Sequence, residues 1–543
     1  MSKHSSYNPL ILATLLAGVA GVVACGQSQD TAGTVQEPVS ETALVVEEGH
    51  KAIEWYDGTI EEAFALAETY NKPLFFYWGA IWCPPCEQIK ATVFKHPAFL
   101  AKTSLFIPVY LDGDTERAQS WGQHFDVAGY PTMIVFSPEG EEITRIPGWI
   151  DSEQYLNVLQ LALDDLTSTL DLLKLAIHEP DAMAPDAYTR LAFYSWEQAT
   201  LPEDLEMKGT LYATLAEQSR QAGNHVAWSR LFFHSLYAKG SQKDFTGLSD
   251  AEKTAALSAM ETVFTNPELV LANSDYALLY FEDLVPMLTD QGASRDKLVE
   301  KWIAAMDTLR DASQLSGAEH IASWYPVVGN FRMNNPEATT LPADLEQEII
   351  AFIDAVDQDT RGEARQNVIN TSYQLLEEAG RADLARELLL KELEKSHAPY
   401  YFMSSLGGIE ENAGNIELAV EWNRKAWEGA SGEATRFQWG YQYVDTLVRL
   451  VPEQSEVILG ISEQLLSEFS EAENMLSGRN FARLQMLLDS LEQWQKTTEV
   501  EDGTAAGLEA LYSNIASVCE GSVLAEESQA HCLELETAYS LNL

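Results

Sequence analysis

Residues Pro73–Trp78 form a continuous apolar run that leads almost at once into Trp82-Cys83-Pro84-Pro85-Cys86. A run this short and this apolar suits a strand covered on both faces. The prolines after Cys83 suit the first turn of a helix, where a missing N–H removes no intrahelical bond. A cysteine pair at a strand-to-helix turn constrains the fold more than any other feature of the chain. The same CxxC spacing also holds zinc or a cuprous ion. Zinc normally takes two more ligands, and neither a second CxxC nor paired histidines lie nearby at zinc-finger spacing. His96 and His124 read as a surface and a packing histidine, so no metal is assigned to the pair.

The flanking pattern switches between periods. Thr59–Tyr70 places Ile60, Ala63, Phe64 and Ala67 on one helical face. Leu105–Leu111 reads as a strand, and Pro108 inside it demands an edge position or a bulge. Thr115–Phe125 follows as a helix. Thr132–Phe136 and Glu142–Ile146 flank Ser137-Pro138-Glu139-Gly140, a hairpin signature. Asp151 caps a last helix with Tyr155, Leu156, Leu159 and Leu163 inward. With a short strand ahead of Thr59, the order is β-α-β-α-β-α-β-β-α.

Residues 51–167 resemble the thioredoxin superfamily, most of all the periplasmic C-terminal domain of DsbD-type reductases. The resemblance rests on Lys72-Pro73, Trp82-Cys83-Pro84-Pro85-Cys86 and Thr92-Val93-Phe94, with Gly129-Tyr130-Pro131-Thr132 and Gly148-Trp149 further on. It implies an α/β thioredoxin fold with Cys83 and Cys86 as the catalytic pair and Trp82, Pro84, Pro85 and Glu87 as active-site neighbours. Tyr130, Pro131 and Thr132 would be the substrate-binding strip, with Pro131 a cis-proline facing the disulfide. Cys83, at the helix N-terminus, is favoured as a thiolate and left at an exposed edge, so it attacks; the more buried Cys86 resolves the mixed disulfide. The two prolines deny the thiolate two N–H donors, which implies a moderate redox poise. In the family a buried acid commonly stands six residues before the first cysteine, and here that position is Tyr77. Glu87 is either a replacement proton acceptor or an exposed helix acid.

Beyond residue 168 strand signals stop. Residues 168–543 read as an all-α, helical-repeat-like region broken at Glu179-Pro180, Leu201-Pro202, Asn266-Pro267, Asn335-Pro336 and Leu341-Pro342. Gly380, Leu384 and Ala385 recur as Gly414, Leu418 and Ala419, a shift of 34, with Gly407 and Ala426 in the second copy. These spacings resemble tetratricopeptide repeats, with a degenerate cousin at Gln221-Ala222-Gly223-Asn224. A repeat-like array and an irregular bundle both remain open.

At the other end, Leu10–Ala24 is mostly apolar and runs into Cys25-Gly26. Residues 1–24 resemble a bacterial lipoprotein signal with Val22-Val23-Ala24-Cys25 as lipobox, which implies lipidation at Cys25. Residues 25–50 lack apolar periodicity and read as a flexible tether. The expected location is the bacterial cell envelope, lipid-anchored and facing the periplasm, with the outer membrane favoured. Cys519 and Cys532 remain as a second pair. A structural disulfide is the default there, with a second redox centre or two free thiols as alternatives. A helix starting at Ser522 would put Cys532 roughly 15 Å away along its axis, so a bridge needs a longer loop or a chain reversal.

Acidic residues outnumber basic ones 83 to 34, a formal charge of −49, which excludes nucleic acid as a partner. The charge reads as solubility rather than as a cationic partner. Three functions are compatible with these features, none needing a cofactor. The first is an envelope thiol–disulfide oxidoreductase, a reductase or isomerase, whose helical half holds client proteins with disulfides or thiols and which draws on a DsbD-type membrane electron donor. The others are a lipid-anchored scaffold using the thioredoxin domain for binding, and a Cu(I)-handling protein.

Overall fold

The computed structural model describes residues 52–198, 208–242, 245–469, 472–497, 502–521 and 524–539. The targeting segment 1–24, Cys25, the tether to residue 50, the break at Leu201-Pro202 and Ser522 lie outside them.

The first part is built from α1 (Ile60–Tyr70), β1 (Leu74–Gly79), α2 (Pro84–Ala91), α3 (Pro97–Lys102), β2 (Ile107–Asp112), α4 (Glu116–His124), β3 (Thr132–Phe136), β4 (Glu142–Ile146) and α5 (Ser152–Asp164). Strand order is β2-β1-β3-β4, with β1 parallel to β2 and antiparallel to β3. Alternation along β1 feeds both sides of the sheet. Leu74, Phe76 and Trp78 pack with Ile60, Ala63 and Ala67 of α1, while Phe75 and Tyr77 face Ile89, Phe94, Phe99 and Leu159. Pro108 sits on edge strand β2 opposite Phe75, where the ladder tolerates a missing N–H. Thr59, Thr115 and Asp151 each cap the helix that follows by accepting backbone N–H groups.

The strand expected ahead of Thr59 does not form among the described residues. That segment makes a single ladder-like bond, from Tyr56 N to Pro108 O at 2.8 Å, and the sheet has four strands. Ile53, Glu54 and Trp55 alternate over only three positions before Tyr56-Asp57 ends the pattern, which leaves too short a run for a strand.

From Thr169 onward the described residues are helical. In sequence, α6 (Thr169–His178), α7 (Pro185–Ala192), α8 (Lys208–Gln221) and α9 (His225–Gly240) come first. Their apolar residues, including Leu172, Leu191, Leu215 and Leu231, join Phe75, Tyr155 and Leu159 in one continuous core. Gly223, Gly380 and Gly414 all take left-handed φ values, of 79°, 78° and 77°, in the turn between two successive helices. Each repeats the same C-terminal cap. Within the 414 unit, a side chain at Gly407 would collide with Asn423, so glycine allows helices Pro399–Asn412 and Ile416–Gly429 to approach closely. No described helix is long and apolar enough to cross a membrane.

Candidate functional site

Cys83 is the N-cap of α2, with Pro84 and Pro85 at its first two positions. Those prolines have no N–H, so the first donor of the helix is Cys86 N, which lies 3.2 Å from Cys83 Sγ. Cys83 and Cys86 are joined as a disulfide. Opposite them, Tyr130-Pro131 is a cis peptide, and the Tyr130 carbonyl oxygen is 3.5 Å from Cys83 Sγ. Two turns separated by almost fifty residues thus meet at one sulfur, because β1 and β3 are antiparallel neighbours and β1 ends where β3 begins. Thr132 Oγ1 lies 2.7 Å from Gly129 O and 2.8 Å from Gln198 Oε1, tying the strip to the chain beyond the domain.

The exposed edge expected for Cys83 is absent. Cys83 is 2% and Cys86 0% exposed. Helices several hundred residues further along cover the edge. Trp82 Nε1 donates to Thr435 Oγ1 at 3.2 Å, and its ring packs edge-on against Trp439 at 5.9 Å. Gln366 Nε2 donates to Trp82 O, and His397 Nε2 lies 2.9 Å from Ile81 O. Asn367 donates to the Gln88 side chain, whose Nε2 reaches Glu319 Oε2 at 3.3 Å. On the Tyr130 side, Arg479 places its guanidinium 4.7 Å from the ring centre and donates to Ala128 O at 3.1 Å. Burial, with Arg483 nearby, lowers the Arg479 pKa to about 10, whereas burial raises that of Tyr130 against the pull of Arg479.

Tyr77 sits at 1% exposure between Tyr110 and Phe94, and its hydroxyl has no hydrogen-bond partner among the described residues. Burial, with Tyr110 and the Glu87 carboxylate as neighbours, holds its phenol well above the usual range, so it stays a neutral phenol. Glu87 is not an exposed helix acid. It is 3% exposed, paired with Lys90 at 2.9 Å and 3.6 Å from His397 Nε2. A helix packed over α2 turns this surface position into an interior one, which the α2 sequence cannot reveal.

The other sequence-selected residues fall elsewhere. His96 caps α3 by accepting Ala98 N, and His124 packs on Phe125 with Glu527 3.7 Å away. Cys519 and Cys532 are bridged, with Cα atoms 5.7 Å apart. The two cysteines lie on different helices, Cys519 on Asp502–Gly521 and Cys532 on Glu526–Tyr539, so the bridge joins two helices rather than two turns of one. Gln366, Asn367, His397, Thr435 and Arg479 are the functional neighbours that sequence reading missed. No local pattern marks them, because each meets the site only through long-range folding. Among the described residues, no group of three or more His, Cys, Asp or Glu side chains is placed to hold a metal ion.

A strand-to-helix disulfide beside a cis X-Pro peptide on this sheet defines the class. Residues 60–163 match the family model described as a thioredoxin-like domain, and this segment is a thioredoxin-like domain. Among relatives, the thiol:disulfide interchange protein DsbD of Actinobacillus pleuropneumoniae is 28% identical over 114 residues, 20% of each chain. DsbD of Yersinia pestis is 33% identical over 100 residues, 18% of this chain and 17% of that protein. Thioredoxin H4 of Arabidopsis thaliana is 32% identical over 82 residues, 15% of this chain and 65% of that protein. The chain thus spans about a fifth of the length of its DsbD relatives. At family level, the domain is of the thiol–disulfide oxidoreductase kind.

Proposed function

We propose that the protein is a thiol–disulfide oxidoreductase of the bacterial cell envelope, a reductase or isomerase acting on protein disulfides, lipid-anchored at Cys25 and holding clients with its helical region. The observation that carries this reading is the Cys83 sulfur at the N-cap of α2, bonded to Cys86 and 3.5 Å from the backbone before Pro131. In the reduced enzyme, the Cys83 thiolate attacks a client disulfide, forming a mixed disulfide and releasing one client thiolate. Cys86, deprotonated, then attacks the Cys83 sulfur, which restores the Cys83–Cys86 bond and releases the second client thiolate. Two electrons pass to the client. A dithiol donor, of DsbD type on the present reading, returns the enzyme to the reduced state.

The helix N-terminus and the Cys86 N–H stabilise the attacking thiolate, while Pro84 and Pro85 withhold two further donors. The test is the reduction potential of the pair in glutathione buffers, together with dithiol-driven reduction of a protein disulfide. A potential near roughly −270 mV with turnover supports a reductase, and one near about −120 mV an oxidant. Failure of the pair to cycle would sink the reading. A scaffold reading is favoured by one observation, the burial of both sulfurs. It expects the Cys83→Ser/Cys86→Ser protein to capture the same partners as the wild type.

A further inference from the structure

Disulfide exchange requires a partner sulfur to approach in line with the S–S bond, and both sulfurs here are buried beneath the chain's own C-terminal helices. Those helices and the first four after the domain are attached in different ways. Helices α6 to α9 share one apolar core with the back of the thioredoxin-like domain, from Phe75 and Leu159 to Leu191 and Leu231. At the redox edge the attachment is polar. The apolar clusters of the C-terminal helices take in Trp82 and, among the described residues, no other side chain of residues 52–164.

Hydrogen bonds hold the rest of that edge, and two helix N-termini supply several of them. Thr435 N, in the first turn of helix Glu433–Leu450, donates to Asp114 Oδ1 at 2.7 Å. Gly478 N donates to Gln123 Oε1, and Arg479 N to Gln119 Oε1, both at 3.0 Å, from the start of helix Gly478–Thr497. Glycines allow both approaches. Gly432 has φ 86°, and a Cβ there would lie 1.3 Å from Asp114 Oδ2; Gly478 has φ 50°, and a Cβ would lie 2.6 Å from Gln119 O. Polar interfaces within a chain separate far more readily than apolar ones of the same extent.

We propose that this arrangement is a shut state, in which the chain's own C-terminal helices occupy the surface that a client protein must reach. Exchange at Cys83 proceeds through release of the polar edge, while α6 to α9 stay fused to the domain. The shut geometry is independent of the catalytic reading; its role as control over client access rests on that reading. A client protein competes with Thr435, Gln366 and Arg479 for the rim formed by Trp82 and Ala128.

The test follows the loss of the Cys83–Cys86 bond in the full-length oxidised protein, by acid quench, maleimide labelling and peptide mass mapping that separates it from Cys519–Cys532. If release limits the reaction, the rate levels off as reductant rises. Dithiothreitol and tris(2-carboxyethyl)phosphine, which differ in intrinsic reactivity, then reach the same plateau. Thr435→Asp, which sets a carboxylate against Asp114, and Gly432→Ala should each raise that plateau at least roughly tenfold. Rates that stay linear in reductant, differ between the two reagents and do not change in the variants would overturn the shut state. The reagent comparison needs only the wild type and so survives a variant that fails to fold. Released variants that exchange quickly yet never reduce a protein disulfide would instead remove the oxidoreductase reading and leave the shut state standing. Wild-type turnover as fast as that of the released variants would do the reverse.

Discussion

Trp82 and Thr435 are separated by 353 positions in sequence and joined by a 3.2 Å hydrogen bond from the indole Nε1 to the threonine Oγ1. The residue that precedes Cys83 is therefore also the main apolar link to the C-terminal helices, through its contact with Trp439. Trp82→Phe removes one neutral hydrogen bond, worth about 1 kcal/mol. Trp82→Ala also empties a half-buried ring site, and about 2–3 kcal/mol is expected. Urea unfolding of both variants checks the order. Equal losses would mean that the ring packing contributes nothing.

The roles given to the cysteines separate in a simple experiment. On the proposed mechanism Cys83→Ser should abolish dithiol-driven turnover, because Cys83 caps α2 beside the Tyr130 carbonyl while Cys86 is fully buried behind it. Cys86→Ser should trap a mixed disulfide between Cys83 and a client, visible on a non-reducing gel and lost on reduction. A trap formed in Cys83→Ser instead would reverse the assignment.

The thioredoxin-like fold was legible because its signals are local. The Asp151 cap, the apolar run of β1 and the hairpin at Ser137–Gly140 act over a few positions, and of the edge position or bulge that Pro108 demanded the sheet takes the edge. The covering of the site was not legible. Glu87 reads as a solvated acid on α2 from its neighbours in sequence, and it is buried through long-range packing, with helix Ala364–Glu378 against α2 and His397 3.6 Å from its carboxylate. The same holds for Arg479, whose position over Tyr130 depends on where the last third of the chain returns. The left-handed turns at Gly380 and Gly414 were visible as a spacing, since a cap glycine is a local demand; the surface that those helices present was not.

Arg190 tests how the domain is joined to its helices. At 2% exposure it donates to Ile143 O at 2.8 Å, Asp165 O at 2.9 Å and Thr167 O at 2.5 Å, so it binds the β4 strand to the linker before α6. Arg190→Met keeps the bulk but takes the guanidinium donor from the Asp165 and Thr167 carbonyls and leaves Ile143 O with Thr169 Oγ1 alone. A loss of about 3 kcal/mol or more is expected, because buried acceptors lose a charged partner. Arg190→Lys should recover only part of it, since one ammonium cannot reproduce the planar fork. Denaturant midpoints give the answer, and a loss below about 0.5 kcal/mol for Arg190→Met would show that the joint is held by apolar packing alone.

Glu319 makes stability depend on pH in a direction opposite to that of most carboxylates. Its side chain is 5% exposed, accepts Ser316 N at 2.7 Å and takes a hydrogen bond from Gln88 of α2. Burial outweighs those donors and pushes its pKa up to about 7, and burial likewise raises Asp151 to about 6. The unfolded chain ionises both near pH 4 to 4.5, so between there and pH 7 the folded state holds protons that the unfolded state has released. Stability then falls as pH rises through that window and levels off above it. Exposed Glu217, Glu252 and Asp383, each lowered to about 2 by hydrogen-bond partners, act the other way, with stability lost only below about pH 4. The optimum is therefore expected near pH 5. Glu319→Gln keeps an acceptor for Ser316 N and for Gln88 but cannot ionise. Relative to wild type it should gain stability from pH 5 to about pH 7 and level off by pH 8, with a total advantage of up to about 3 kcal/mol. Denaturation of both proteins across that range measures the difference; parallel curves would mean that Glu319 ionises in the folded protein as readily as in the unfolded one.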